Sequence, residues 1–327
     1  MRRRRLLQGA ASLAFTAAAL SRRQAHASGG EHGPVPLWPP PLRPGSRIAA
    51  VAPGTWMEPG DSTLTLLRQR CRDRGWTLLT PPELGDRWRW FSGRDAVRLQ
   101  VLREAWLDPQ VDAIACVGAG WGSARVLELG WRIPATPRWC IGFSDCSALL
   151  LAQLAASSHG GIHGSFGGSS LQWQRLADLL EGLSVLPLQG RPQRPGIAEG
   201  PLVVSNLTIA TSMIGTPWLP DLRGSVLVLE DTGEAPYRID RQLTQWRSSG
   251  LLRGIAGIGL GRFSWARDDV LPGDFSMEEI LLERLRDLGI PLVSDLPVGH
   301  GAPNLALPLG RRVRLDGATG QLQLLQT

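Results

Sequence analysis

The stretch Trp139-Cys140-Ile141-Gly142-Phe143-Ser144-Asp145-Cys146 decides how the chain folds. Its apolar run ends in Gly-Phe-Ser and leads straight into the Ala/Leu-rich residues 147–156, which reads as a buried strand, a sharp turn and a helix. One serine hydroxyl is thereby held at a helix N-terminus, where outward-pointing N–H groups favour developing negative charge. A hydrolase presents a nucleophile in this way. A serine at such a turn also serves as a plain N-cap, and position 146 is Cys where the Gly-x-Ser-x-Gly elbow carries glycine, so other residues must decide between the two readings.

Outward from this stretch the same alternation repeats. On the N-terminal side come a buried strand at 47–53, a helical pattern at 62–74 stopped by Gly75, a helix at 96–106, a strand at 111–117, a glycine-rich turn at 118–122 and a helix at 123–129. Strands alternating with helices predict a parallel sheet covered on both faces. Residues 183–200 lack helical periodicity and carry three prolines, which predicts a linker. Beyond them the pattern predicts helices at 207–214, 239–249 and 277–288, strands at 225–229, 255–261 and 291–294, and a hairpin over 312–325 that flanks Gly317. The fold class is therefore α/β: a nucleophile domain with a parallel sheet over 46–182, a mixed α/β domain over 201–327, and a site at their interface.

Composition narrows the chemistry. Every basic side chain is arginine and there is no lysine, which excludes a P-loop lysine, a Schiff-base lysine and a Ser–Lys dyad. A serine nucleophile here needs histidine as its base, and the five are His26, His32, His159, His163 and His300. The first two lie in or next to an N-terminal segment with the features of an export signal: Arg2 to Arg5, a mildly apolar Ala-rich run to Leu20, Arg22-Arg23, then Ala25-His26-Ala27. This reads as a twin-arginine signal over 1–27, cut after Ala27, and predicts an exported, periplasmic protein whose apolar run is too short to span a membrane. Its removal takes six of the 35 basic side chains and none of the 29 acidic ones, so 29 of each sign remain. No electrostatic case for nucleic acid or an anionic membrane survives that balance. The Gly- and Pro-rich residues 28–45 read as an exposed tether. Cys71, Cys116, Cys140 and Cys146 include no Cys-x-x-Cys pair, and no histidine stands at metal-ligand spacing, so neither metal nor cofactor is expected. Trp88 and Trp90 with Arg87, Arg89 and Arg94 suit either a groove or a solvated, packed face, and composition assigns none of them to the site.

Two further residues complete a candidate triad. Glu230 ends the apolar run Ser-Val-Leu-Val-Leu, and the carboxyl end of a buried α/β strand is where ligand crevices form. His300 sits between Gly299 and Gly301, which leave its ring unobstructed and allow close backbone approach. Ser144, Glu230 and His300 then suit nucleophile, orienting carboxylate and general base.

At this point the sequence resembles the LD-carboxypeptidases, the serine peptidase group that also holds the microcin C self-immunity peptidases. The likeness runs from Arg47 to Gly310. It rests on Val51-Ala-Pro53, Ser92-Gly93 with Arg98, Gly120-Trp-Gly-Ser-Ala-Arg125, Ile141-Gly-Phe-Ser-Asp145, His163-Gly164, Asn206-Leu207, Ile214-Gly-Thr-Pro217, Val228-Leu-Glu-Asp-Thr-Gly-Glu234, Pro236-Tyr-Arg-Ile-Asp-Arg241, Gly299-His300-Gly301 and Leu307-Pro-Leu-Gly310. The resemblance implies Ser144, Glu230 and His300 as the catalytic triad. It implies an oxyanion hole from the backbone N–H of Asp145 and one from the glycine turn, at Gly120 or alternatively Ala119. It also offers Trp121, His163 and Asn206 as candidates for substrate contact.

Two departures stand out: the family's usual Arg-Gly-Gly-Tyr-Gly turn reads Gly118-Ala119-Gly120-Trp121-Gly122, and Val204-Ser205 replaces glycine before Asn206. The function implied is an exported serine LD-carboxypeptidase that releases the terminal D-alanine of peptidoglycan tetrapeptides through an acyl-enzyme. The partner is thus a peptidoglycan-derived peptide, with a homodimer left open. One alternative is a related serine amidase acting on peptidyl or aminoacyl nucleotides, and another is a muropeptide-binding protein without turnover.

Overall fold

The computed structural model describes residues 38–58, 60–118, 120–265 and 273–326. The signal sequence expected over 1–27 lies outside the described residues. The chain begins its first sheet with β1 (Arg47–Val51), followed by α1 (Ser62–Asp73), β2 (Thr77–Leu79), α2 (Asp95–Leu107), β3 (Ala113–Cys116), α3 (Ser123–Glu128), β4 (Trp139–Gly142), α4 (Ser147–Ala155), β5 (Gly161–His163) and α5 (Ser170–Leu180). Among the described residues, β5, β4, β3, β1 and β2 lie side by side in that order and all pair in parallel. Helix α1 starts where the Asp61 side chain accepts the Thr63 N–H and ends before Gly75, whose φ of +69° suits glycine. Helix α5 was not predicted, yet Ser169 and Gln172 form a reciprocal capping box at its start, the Ser-x-x-Gln signal of a helix N-terminus.

The second sheet comprises β6 (Leu188–Gln189), β7 (Arg191–Arg194), β8 (Ile197–Asn206), β9 (Val226–Thr232), β10 (Gly257–Ser264), β11 (Leu292–Ser294), β13 (Arg312–Asp316) and β14 (Gln321–Leu324), in the order β6-β14-β13-β8-β9-β10-β11-β7. Its centre, β8 to β11, is parallel, and antiparallel pairs close both flanks. Between these strands run α6 (Leu207–Ser212), α7 (Pro236–Ser248) and α8 (Met277–Leu285). The linker expected over 183–200 is therefore corrected: most of it is β-structure. Pro192 is tolerated because β7 is an edge strand, where a missing N–H leaves no ladder bond unmade. Strand β8 was hidden by its own division of labour. Residues 197–201 pair with β13 and alternate outward and inward, whereas 202–206 pair with β9 and are buried throughout.

The tether expected over 28–45 is corrected where it is described. Leu42 is buried and donates its N–H to Leu180 O at 2.8 Å, and Pro40 O accepts from Trp139 Nε1 at 2.8 Å. A proline run has little chain entropy left to lose, so docking it beside α5 and β4 costs little. The two predicted domains also share a strand: β12 (Leu307–Pro308), from the C-terminal half, pairs antiparallel with β5 at the edge of the first sheet. The described residues fall within one compact unit. Among the described residues, no helix is long and apolar enough to cross a membrane.

Helix α4 is the element that both halves grip. Ser147 to Gln153 are all buried, and the helix touches β4 and β5 on one side and α6 and β8 on the other. Its burial follows from a run of Ala and Leu with no polar face. Leu150→Ala should remove about 2–5 kcal/mol of stability by leaving a cavity in this layer, measured by urea unfolding.

Candidate functional site

The turn after β4 is shaped by sterics. A Cβ on Gly142 would stand 2.7 Å from Cys146 Cβ and 3.1 Å from Cys116 Cβ, so glycine at 142 makes the room that Cys146 uses. This accounts for cysteine in the place of the elbow's second glycine. Phe143 is extended, and Ser144 then takes φ +58°, a left-handed conformation that costs a non-glycine residue about 1–3 kcal/mol. Ser144–Cys146 form a single 3₁₀ turn that passes directly into α4.

Asp145 locks that turn to the glycine-rich loop. Its buried carboxylate accepts hydrogen bonds from Gly122 N at 3.1 Å, Ser123 N at 2.8 Å and Ser123 Oγ at 2.6 Å. Burial pushes its pKa up, against the lowering effect of those donors and of the Arg98 charge. The buried Arg98 guanidinium donates to Pro53 O, to Gly122 O at 2.9 Å and to Asp95, so the loops after β1 and β3 are stapled to α2. Residue-by-residue reading found neither role; the signals available were an acid directly after the serine and an arginine one turn into α2.

The glycine turn packs on the loop after β1. Gly118 and Gly120 have φ of +81° and +86°. A Cβ on Gly118 would lie 2.5 Å from Thr55 O, and one on Gly120 would collide with Thr55 Oγ1. With Thr55 so close, no side chain fits at 118 unless the turn shifts. Among the described residues the Gly120 N–H donates to no acceptor, and Asp145, the other expected oxyanion donor, adjoins Ser144 in the chain. Ala119 lies outside the described residues. Trp121 is 42% exposed on the rim of this turn.

From the second sheet, β9 delivers Glu230 into the interior. Glycines clear the space around it: a Cβ on Gly261 would stand 3.0 Å from Glu230 Cβ, and one on Gly299 would stand 2.6 Å from the same atom. Gly299 has φ +100° and donates its N–H to Asn304 Oδ1 at 2.9 Å, which fixes the loop that carries His300. His300 closes the constellation. Its Nε2 lies 3.0 Å from Ser144 Oγ and its Nδ1 lies 2.7 Å from Glu230 Oε2, which also accepts the His300 backbone N–H at 3.1 Å. The three predicted residues, 156 positions apart between Ser144 and His300, thus form one connected hydrogen-bonded row.

Electrostatics set the tautomer. Burial alone would raise the Glu230 carboxyl, but the imidazoles of His163 and His300 hold it down at about 2. At neutral pH it is an anion that only accepts, so a neutral His300 donates Nδ1–H to it and turns the Nε2 lone pair to the serine hydroxyl. This arrangement can deprotonate Ser144 as the hydroxyl attacks. The Phe143 ring lies 5.1 Å from the His300 ring and 6.1 Å from the His163 ring. Beside His300 opens a cleft of about 570 Å³, bordered by Arg262, Phe263, Ser264, Met277 and Asp295.

Two expected substrate contacts are corrected by burial. His163 is fully buried on β5, beneath the site, with Nε2 3.7 Å from Glu230 Oε1. Strand register puts it there, since His163 pairs with Gly142, two residues before Ser144. Asn206 is also buried. Its Oδ1 accepts Ile209 N at 3.0 Å to cap α6, its Nδ2 donates to Asp231 Oδ1 at 3.2 Å, and its own N–H donates to Ser147 Oγ at 3.2 Å. Asp231 in turn accepts from Thr208 N and Oγ1, both at 2.8 Å, so this acid anchors α6 while Glu230 faces the site. His159 stands apart, its ring 5.3 Å from that of Trp38.

Comparison with known proteins agrees with this architecture. Residues 48–164 match the LD-carboxypeptidase N-terminal domain and residues 199–315 the LD-carboxypeptidase C-terminal domain. The chain is 42% identical over 297 residues to the Synechocystis sp. protein slr1534, covering 88% of this chain and 97% of that one. It is 38% identical over 254 residues to the murein tetrapeptide carboxypeptidase of Pseudomonas aeruginosa, covering 71% and 81%. The solved structure of the muramoyltetrapeptide carboxypeptidase from Oxalobacter formigenes superposes with a TM-score of 0.75 at 27% identity, over 85% of this chain and 98% of that one. With both domains matched in order and its relatives aligned over most of their own length, the chain belongs to the LD-carboxypeptidase family and is a serine-type carboxypeptidase.

Proposed function

We propose that the mature protein is an exported LD-carboxypeptidase that removes the terminal D-alanine from peptidoglycan tetrapeptides, with Ser144, His300 and Glu230 as its catalytic triad. The observation that carries this reading is the row Ser144 Oγ to His300 Nε2 at 3.0 Å and His300 Nδ1 to Glu230 Oε2 at 2.7 Å. The substrate comes from the murein tetrapeptide and muramoyltetrapeptide carboxypeptidases to which the chain is similar. Ser144 Oγ attacks the scissile carbonyl carbon while its proton passes to His300 Nε2. The backbone N–H groups of Asp145 and Gly120 hold the oxyanion, and they suit it because they are fixed before charge develops. As the tetrahedral intermediate collapses, the C–N bond breaks, the Nε2 proton goes to the departing amine and D-alanine leaves an acyl ester on Ser144. Water, deprotonated by the same nitrogen, then attacks the ester and frees the tripeptide. Glu230 stays ionised throughout and steadies the imidazolium.

Purified residues 28–327 incubated with murein tetrapeptide should yield tripeptide and free D-alanine in equal amounts, and Ser144→Ala should lower the rate by roughly 10⁴-fold or more. Activity undiminished in that variant would contradict the mechanism. Faster cleavage of an aminoacyl nucleotide in a parallel assay would move the substrate to the amidase reading, and tight tetrapeptide binding with no product would favour a binding protein.

Glu230 predicts an acid limb of stability. Its folded pKa of about 2 lies below the unfolded carboxylate value of 4.5, so its contribution is complete above about pH 4.5 and is lost as the pH falls towards 2. Unfolding free energy measured across that window should fall more steeply for the wild type than for Glu230→Gln; equal slopes would show that the carboxylate is not held ionised.

Export makes a further expectation. N-terminal sequencing of the periplasmic form should begin at Ser28, and recovery of only full-length chain from the cytoplasm would refute export.

A further inference from the structure

A tight ribbon beside the glycine turn has no part in the triad, yet its chemistry is conspicuous. Trp88 and Phe91 exchange hydrogen bonds, Trp88 N to Phe91 O at 2.9 Å and Phe91 N to Trp88 O at 3.0 Å, which leaves Arg89 and Trp90 as the two-residue tip of a hairpin. The ribbon is fastened to the loop after β1 by Ser92 N to Gly54 O at 3.0 Å, Trp56 N to Trp90 O at 3.3 Å and a Thr55–Phe91 bridge. Thr55 is the residue on which Gly118 and Gly120 pack. The tip is therefore joined through Thr55 to the turn that carries Gly120, the proposed oxyanion donor.

Its residues are poorly chosen for stability alone. The first tip position takes φ +59°, where Asn, Asp or Gly is favoured, and arginine occupies it. Trp90 is 54% exposed. Phe91 beneath is buried, with the Arg98 and Arg125 guanidinium groups 4.6 Å and 5.0 Å from its ring centre. Those two arginines share the carboxylate of Asp95. The three arginines at the rim do not share one: among the described residues, Arg87, Arg89 and Arg94 have no carboxylate within ion-pair distance. Arg87 lies 3.9 Å over the Trp56 ring and Arg94 lies 5.2 Å over the Trp88 ring, so aromatic faces hold their charged ends in place. Two guanidinium groups held on aromatic faces and a third at the tip, none with a carboxylate partner among the described residues, stand beside an exposed indole and fit carboxylate oxygens, which arginine binds through two parallel N–H donors.

We propose that this rim is a subsite for an anionic peptide: Arg87, Arg89 and Arg94 bind free carboxylates of the stem peptide upstream of the scissile bond, with Trp90 as the wall that screens them from water. The inference rests on the carboxypeptidase reading above and names what sets affinity in it. Arg89→Asn separates function from fold, because Asn suits the left-handed backbone and removes the charge. Kinetics on murein tetrapeptide at low salt should show KM raised roughly 3- to 10-fold with kcat unchanged and a thermal midpoint equal to or above the wild type's. Arg87→Ala and Arg94→Ala should raise KM in the same sense, and the loss should shrink as ionic strength rises. A tetrapeptide whose free carboxylates upstream of the scissile bond are amidated should bind the wild type more weakly, and Arg89→Asn should then cost little more.

An active enzyme whose KM is unmoved by all three substitutions overturns the subsite. So does a loss confined to the disaccharide-linked tetrapeptide, which would make the rim a sugar platform. A wild type inert towards tetrapeptide would sink the proposed substrate and this inference together, a result easily told from an active enzyme indifferent to its rim.

Discussion

The carboxylate of Asp145 is the constraint on which the site depends. Ser144 occupies a strained backbone conformation that the chain would leave if nothing opposed it. Three hydrogen bonds from the start of α3 to the next residue hold the turn closed, and α4 behind it is packed on every side. The same bonds fix the glycine turn relative to the serine, so the hydroxyl and the proposed oxyanion donors are positioned by one device. Arg98 repeats the logic a layer further out, joining the loops after β1 and β3 through their carbonyls. A single rigid rim results from two buried charges of opposite sign.

Glu230 shows the converse problem, a charge that must stay ionised where water does not reach. Burial opposes ionisation, and two imidazoles outweigh it. The space for those partners comes from absent side chains, since Gly261 and Gly299 both press where any Cβ would strike the acid. His300 is 22% exposed at its side chain while Glu230 is fully buried, so the row runs from an interior anion to a half-buried serine. Proton traffic is thereby confined to one end of it.

Much of this was legible in the sequence because local and global signals coincide. The apolar run, Gly-Phe-Ser and the Leu-rich helix each point to the turn at Ser144, and the acid at the end of β9 and the glycine-flanked histidine needed no long-range knowledge to single out. Where the signals conflict, reading fails. Pro192 and Pro195 argue against strands, yet an edge position absorbs the first and the break between β7 and β8 the second. Strand β8 changes its burial pattern midway, so no single period describes it. His163 and Asn206 are polar residues that look like ligands of a substrate; only strand register and the capping of α6 reveal that the first lies buried beside Glu230 and the second anchors a helix. The sequence marks Asp145 as a backbone donor, whereas its side chain is the clasp.

The pairing of β12 with β5 has a consequence for how such a chain can change over time. The loop bearing His300 leaves the second sheet at β11 and ends in a strand of the first, so it is moored at both banks of the cleft. The reach of the imidazole is then a matter of fixed span and not of hinged closure. It also means that one border of the first sheet is supplied by the far end of the gene. Ancestral halves of this architecture could not be exchanged as free modules; each swap would have to carry its partner's selvedge along.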